Sequence, residues 1–238
     1  MPRKIIVRVH RIIRALAVAT LFTIAALLLP ALWGVGNLVL HVRAQAGVPA
    51  PRAIPEGATT TPPDRARPTA VVVTGAGGAE MSDFLIPYEA LATTGAFEMT
   101  VVAPERRVIP LANAGFRDGG VDLVPHYSLD EYDRAVGTTP ALIVIPFLPA
   151  FAAGHERALV PWIRKHADAG ALVVSICAGS EVLAATGLVD GARATTHPSF
   201  FARLERAYPG VTWVHDVRYV ESARAISSGA IASGMDAT

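Results

Sequence analysis

The sequence predicts an α/β domain built on a mainly parallel sheet covered on both faces. Three observations carry that reading. Short, mainly apolar runs recur at Thr69–Val73, Phe97–Ala103, Ala141–Ile145 and Ala171–Ile176. Runs of this length, rich in β-branched residues, belong to strands buried on both sides. Helix-like segments separate them, and alternation of the two element types builds parallel sheets. The fourth run leads directly into Cys177, two small residues and an amphipathic helical pattern, the signature of a strand, a turn and a helix.

Taken in order, Thr69-Ala-Val-Val-Val-Thr-Gly is a buried strand ending on glycine. Ser82–Thr94 reads as a helix, in which Pro87 is tolerated only in the first turn. Phe97–Ala103 is the second strand, and the alternating Val121-Asp-Leu-Val suggests an edge strand. Ser128–Arg134 is a short helix behind a Ser cap. Ala141–Ile145 is the third buried strand, His155–Ala167 a helix and Ala171–Ile176 the fourth buried strand. Ser199–Tyr208 is helical, and short β segments follow near Val211–Val214, Val217–Val220 and Ala225–Ser227.

The first 68 residues are of a different kind. Arg3, Lys4, Arg8, Arg11 and Arg14 crowd residues 1–14, and no acid occurs before Glu56. Without those five, 16 bases face 20 acids, so the body is mildly acidic and nucleic acid is not expected as a partner. From Ala15 to Leu40 the chain carries no charge. That exceeds the roughly 20 residues needed to cross a bilayer. Residues 15–43 are therefore read as a transmembrane helix, with residues 1–14 cytoplasmic and the body on the far side. Ala44-Gln45-Ala46 fits a signal-peptidase site, but the apolar stretch is longer than a leader's core, which favours an uncleaved anchor. Residues 44–68 hold six prolines and read as an extended linker that buries no core.

Chemistry in such sheets gathers at the carboxyl ends of the strands. Cys177 sits at one such end and the loop Gly75–Ser82 at another. A helix N-terminus aimed at a thiol favours thiolate, so Cys177 is expected to ionise readily. Asp83 can reach a thiol on a neighbouring turn, donating to the sulfur when protonated or moving protons when ionised. The competing reading is that Ser82 or Asp83 only caps the following helix. His197 pairs with Cys177 only if the fold brings them together. His126, His155, His166 and His215 show no metal-ligand spacing, so neither a metal nor a cofactor is expected.

Two stretches together resemble the ThiJ/PfpI superfamily, the group with a class I glutamine amidotransferase-like domain. They are Ser175-Ile-Cys-Ala-Gly-Ser with Gly187-Leu-Val-Asp-Gly-Ala-Arg-Ala-Thr-Thr-His197-Pro, and Gly75-Ala-Gly-Gly-Ala-Glu-Met-Ser-Asp83-Phe-Leu-Ile-Pro87. The resemblance covers roughly residues 69–236 of a domain taken as 69–238, and implies a flavodoxin-like three-layer sandwich that often dimerises. It selects Asp83, four positions before Pro87, rather than Glu80, as the acid beside the thiol. It places His197 near the site in some members. Two departures stand out. Ala178 occupies the position where the proteolytic members carry His, and Pro146-Phe-Leu-Pro149 replaces the usual glycine pair, so the oxyanion pocket is expected to be weak or apolar. Ser228–Thr238 resembles the opening of the family's last helix.

Two functions follow as expectations. In the first, Cys177 attacks a small electrophile, Asp83 relays protons, and the Ala178 and Gly179 amides hold developing charge, as in a cysteine-dependent hydrolase, hydratase or lyase. In the second, the domain senses a ligand, like the sensory domains of AraC-type regulators, or senses oxidants through Cys177.

Overall fold

The structure, a computed structural model, describes residues 16–18, 20–26, 28–30, 32, 50, 52–58, 60, 66–112, 118–230 and 234. Two compact units divide the chain, 1–44 and 45–238.

In the second unit the four apolar runs form the centre of a seven-stranded sheet. Its members are β1 (Thr69–Val73), β2 (Glu98–Ala103), β5 (Tyr127–Ser128), β6 (Leu142–Ile145), β7 (Leu172–Ile176), β10 (Tyr219–Ser222) and β11 (Ala225–Ser228). They are ordered β10-β11-β7-β6-β1-β2-β5, and every pairing is parallel except β10 with β11. Val71, Val72 and Val73 are completely buried, each worth roughly 1.5–3 kcal/mol relative to exposure. The mainly parallel α/β class expected from the periodicity is the one found.

Helices α1 (Met81–Thr94), α2 (Leu129–Ala135), α3 (Leu159–Asp168), α4 (Ser180–Ala185) and α5 (Phe201–Ala207) connect the strands. Ser128 caps α2 through a reciprocal box with Glu131, as its position predicts. Pro87 is a correction: it lies inside α1, past the first turn, where its missing N–H leaves the Asp83 carbonyl without a helical donor. The segment expected to be helical from His155 starts only at Leu159, because Glu156 takes a left-handed conformation with φ 64°.

Two short ladders stand outside the main sheet. Val121 belongs to β4 (Asp118–Leu123), which pairs with β3 (Ile109–Ala112) as an antiparallel hairpin and not as the sheet's edge. β9 (Thr212–Trp213) pairs with β8 (Arg193–Ala194). The main sheet's edges are β10 and β5.

Described residues of the segment 44–68 make contacts with the body: Arg52 reaches Asp122 through both terminal guanidinium nitrogens, Thr60 Oγ1 donates to His126 O at 3.0 Å, and Arg106 Nη2 donates to Ala58 O at 3.3 Å. Prolines stiffen such a segment, but its carbonyls and its arginine still find partners on the domain.

In the first unit the described residues are helical and expose Leu16, Leu21, Phe22, Leu28, Leu29 and Leu32. Among the described residues no helix is long and apolar enough to cross a membrane. The rest of the proposed span at 15–43, all of 1–14, and residues 231–233 and 235–238 lie outside the described residues.

Candidate functional site

Sheet order decides what meets at the carboxyl ends. β6 lies between β7 and β1, so Cys177 and the loop after β1 are two strand spacings apart, roughly 10 Å between backbones. A side chain from each can close that gap over the end of β6.

Cys177 opens a 3-10 turn (Cys177–Gly179) between β7 and α4 with φ 58°. Left-handed backbone in a residue with a Cβ costs roughly 1–2 kcal/mol and has to be held by its surroundings. Three contacts hold it. Ser180 Oγ and Thr196 Oγ1 donate to the Cys177 carbonyl at 3.1 and 3.4 Å. Gly179 seats on β6 so closely that a Cβ there would stand 2.2 Å from Ile145 O. The third residue of the turn has to be glycine for that reason, which explains part of the Cys-Ala-Gly pattern. Cys177 remains partly exposed.

Asp83 arrives from the first turn of α1 and is 1% exposed. It does not cap its helix. Glu80 does, with Oε2 accepting from Asp83 N–H at 2.8 Å, so the capping role falls outside the two residues expected for it. Asp83 Oδ2 accepts from Phe147 N–H at 3.4 Å, and its carboxyl is a hydrogen-bond neighbour of the Cys177 thiol. Oδ1 has no well-aligned partner. The structure thus brings Cys177 and Asp83 together.

Electrostatics corrects the thiolate expectation. Burial, then the charge of Glu80, raises the Asp83 carboxyl from its ordinary range to about 7. Burial, then the charge of Asp83, pushes the Cys177 thiol far above its ordinary range, although the Ala178 N–H pulls the other way. The desolvation cost of a buried thiolate outweighs one peptide N–H and a helix of six residues. At rest the sulfur keeps its proton.

Among the described hydrogen bonds His197 has none to Cys177. It caps a 3-10 turn (Pro198–Phe200), with Nδ1 accepting from Ser199 N–H at 3.3 Å. Its ring meets Phe200, which packs edge-on against Phe147 with centroids 5.2 Å apart. The expected apolar character at the end of β6 is present, since Phe147 is buried and its amide is spent on Asp83. Ala178 N–H is directed at the sulfur.

The loop before α1 is gripped from two sides, by residues the sequence reading did not identify. Glu156 Oε1 accepts from Gly77 N–H at 2.8 Å, and Arg107 Nη2 donates to Ala76 O at 2.5 Å. Gly75 leaves the space for the Glu156 carboxyl, which a Cβ would approach to 2.6 Å. No spacing pattern announces a left-handed glutamate. Glu80 did carry a signal, an acid three residues before a helical amide. Thr196 also lines a cavity of about 440 Å³, together with Phe201, His215 and Gly229. Among the described residues no group of three His, Cys, Asp or Glu side chains is arranged to hold a metal.

Comparison with known proteins agrees with this architecture. A sequence model of the DJ-1/PfpI family matches residues 69–237. The HTH-type transcriptional regulator CdhR of Pseudomonas aeruginosa is 37% identical over 76 residues, which is 32% of this chain and 23% of the regulator. The chain thus matches about a quarter of that relative's length. Among solved structures, a mutant of the DJ-1 superfamily protein STM1931 from Salmonella typhimurium superposes with TM-score 0.58 at 23% identity, covering 71% of this chain and 85% of that one. Drosophila melanogaster DJ-1beta gives 0.58 at 24%, with coverages of 71% and 86%. An AraC family transcriptional regulator from Pseudomonas putida gives 0.56 at 16%, with coverages of 71% and 88%. At these identities the structures attest the fold, which is the flavodoxin-like arrangement expected.

Proposed function

From the premise that this chain belongs to the DJ-1/PfpI family, we propose that it is a cysteine-dependent enzyme of hydrolase, hydratase or lyase type acting on a small electrophile. The observation that carries the reading is a partly exposed thiol, held in strained backbone, beside a buried acid whose proton leaves at about 7. Nucleophile and base are in reach, and the base is matched to neutral pH.

The proposed step needs no other reactant. Ionised Asp83 takes the thiol proton as Cys177 Sγ bonds to the electrophilic carbon. In a reactive carbonyl the electron pair of the carbon–oxygen π bond goes to oxygen. In an isonitrile the carbon–nitrogen π pair goes to nitrogen, and the terminal carbon's own lone pair is the site for the proton. The proton then passes from Asp83 to that oxygen or that carbon. The Ala178 and Gly179 amides would hold developing charge, while Phe147, whose amide is committed, would not. His197 would border the site without relaying protons.

An uncleaved anchor at 15–43, with the body outside the cytoplasm, is also proposed. The uncharged stretch from Ala15 to Leu40, the basic residues before it and the exposed Leu16, Leu21, Phe22, Leu28, Leu29 and Leu32 are what support it. A homodimer is proposed with it, and nucleic acid is not a proposed partner.

The test is intact-mass detection of adducts on Cys177 with a panel of small aldehydes, dicarbonyls and isonitriles. Adducts or turnover that disappear in Cys177→Ala and slow in Asp83→Asn are expected. Absence of both, or indifference to Asp83, overturns the reading.

A second reading is a ligand-sensing domain, favoured by the cavity beside Thr196 and by the match to CdhR. Tight ligand binding that survives Cys177→Ala without turnover would decide for it. A sulfur that holds its proton argues against the redox-sensing variant.

A further inference from the structure

We propose that Glu80, the side chain that caps α1, is a positioning residue whose charge decides when Asp83 gives up its proton to become the base for Cys177. This rests on the Asp83–Cys177 reading above and adds the group that controls the pair.

The argument starts from burial. Glu80 is 4% exposed and Asp83 1%, and both stand in the first turn of α1 or at its cap. Glu80 Oε2 is fixed on the Asp83 amide at 2.8 Å, which pins one carboxyl beside the other. The Glu80 backbone is itself clamped, its N–H donating to Phe147 O at 2.9 Å while Phe147 N–H donates to Asp83. One short segment at the end of β6 therefore sets the spacing of both acids. Glu80 Oε1 and Asp83 Oδ1 have no well-aligned partner. A second carboxyl group confined beside Asp83 disfavours the charged form of Asp83.

The surroundings leave Glu80 as the controlling charge. From the turn after β7 the group facing Asp83 is the neutral thiol of Cys177, and from the end of β6 it is the Phe147 amide. Arg107 from the β3 side and Glu156 from the loop before α3 engage Ala76 O and Gly77 N–H, upstream of the cap. After burial itself, Glu80 is the largest influence holding the proton on Asp83, and it acts on Cys177 in the same direction. A cap of Ser or Asn would hold the helix equally well without any such effect. A buried glutamate at that position therefore does more than capping requires.

The chain's single cysteine makes the infrared S–H stretch a private reporter of this pair. In the wild-type chain the band is expected to move to lower wavenumber as pH rises through about 7, when the thiol's acceptor becomes a carboxylate. Glu80→Gln keeps an oxygen for the Asp83 amide and removes the charge. Its transition is expected roughly one pH unit or more lower, a tenfold or greater change in the proton equilibrium. Glu80→Asp, which keeps the charge, is expected to stay nearer the wild type. If Glu80→Gln does not fold, Glu80→Ser is a neutral cap that carries the same test. A neutral variant whose transition stays within about 0.2 units of the wild type overturns the role of Glu80 and leaves the pair standing. A wild-type band that is constant from about pH 4 to 9 overturns the Asp83–Cys177 pairing, and the role of Glu80 with it.

Discussion

Phe147 donates its backbone N–H to Asp83 Oδ2 at 3.4 Å, tying the end of β6 to the helix that follows β1. The strand between thiol and acid thereby joins them. Its donor is turned toward the acid, and Pro146 before it has no N–H to offer. On the proposed reading, negative charge formed on a substrate would be met by the turn at Cys177–Gly179.

The raised carboxyl of Asp83 makes stability depend on pH. Its folded value is about 7, against about 4 when unfolded. Between those values the native state holds a proton that the unfolded state has lost, so this group stabilises the fold at acid pH and the benefit fades as pH rises. The slope is about −1.4 kcal/mol per pH unit from roughly pH 4 to 7. Urea unfolding at several pH values checks it: the wild-type slope minus that of Asp83→Asn is expected to have this sign.

Catalysis is expected to run the opposite way. If Asp83 is the base, the rate of Cys177 adduct formation climbs through about pH 7. Asp83→Asn is expected to lose that limb and slow the reaction by about 10²-fold. Stopped-time mass spectrometry across pH separates the two effects.

His197 caps a turn through Nδ1. Asn can accept the same N–H, so His197→Asn is expected to fold normally and to change the adduct rate by less than about threefold. A drop of about 10²-fold would show a proton-relay role instead.

Gly179→Ala places a methyl group 2.2 Å from Ile145 O, a backbone atom that cannot turn aside. A loss of about 1–3 kcal/mol is expected, together with slower adduct formation as the turn shifts. Gly210→Ala is the control, since its nearest neighbour is 4.0 Å away. Thermal melting of both variants checks the difference.

For the amino-terminal segment, the full chain is expected to stay with membranes after alkaline carbonate washing, and a chain beginning at residue 45 to be released. Release of the full chain would remove the anchor.

Much of the fold was legible because period and composition report burial directly. Val71–Val73 and Ile143–Ile145 are apolar without alternation, which fits only a strand covered on both faces. For β4 the alternation of Val121-Asp-Leu-Val does not reveal the strand's partner, which is β3, nor that Val121 stays exposed. Glu156 and Arg107 were missed because their work is done on backbone groups 79 and 31 residues away.

By itself the sequence determined a parallel α/β domain and put one thiol at a strand end, since these follow from local pattern; Asp83 was selected as its acid by the family resemblance. Tertiary structure alone decided that the thiol stays protonated, that Asp83 leaves its proton near neutrality, and that Glu80 rather than Asp83 caps the helix. Proton affinity depends on solvent exclusion and on charges several ångströms away, and neither quantity is written in the order of residues along a chain.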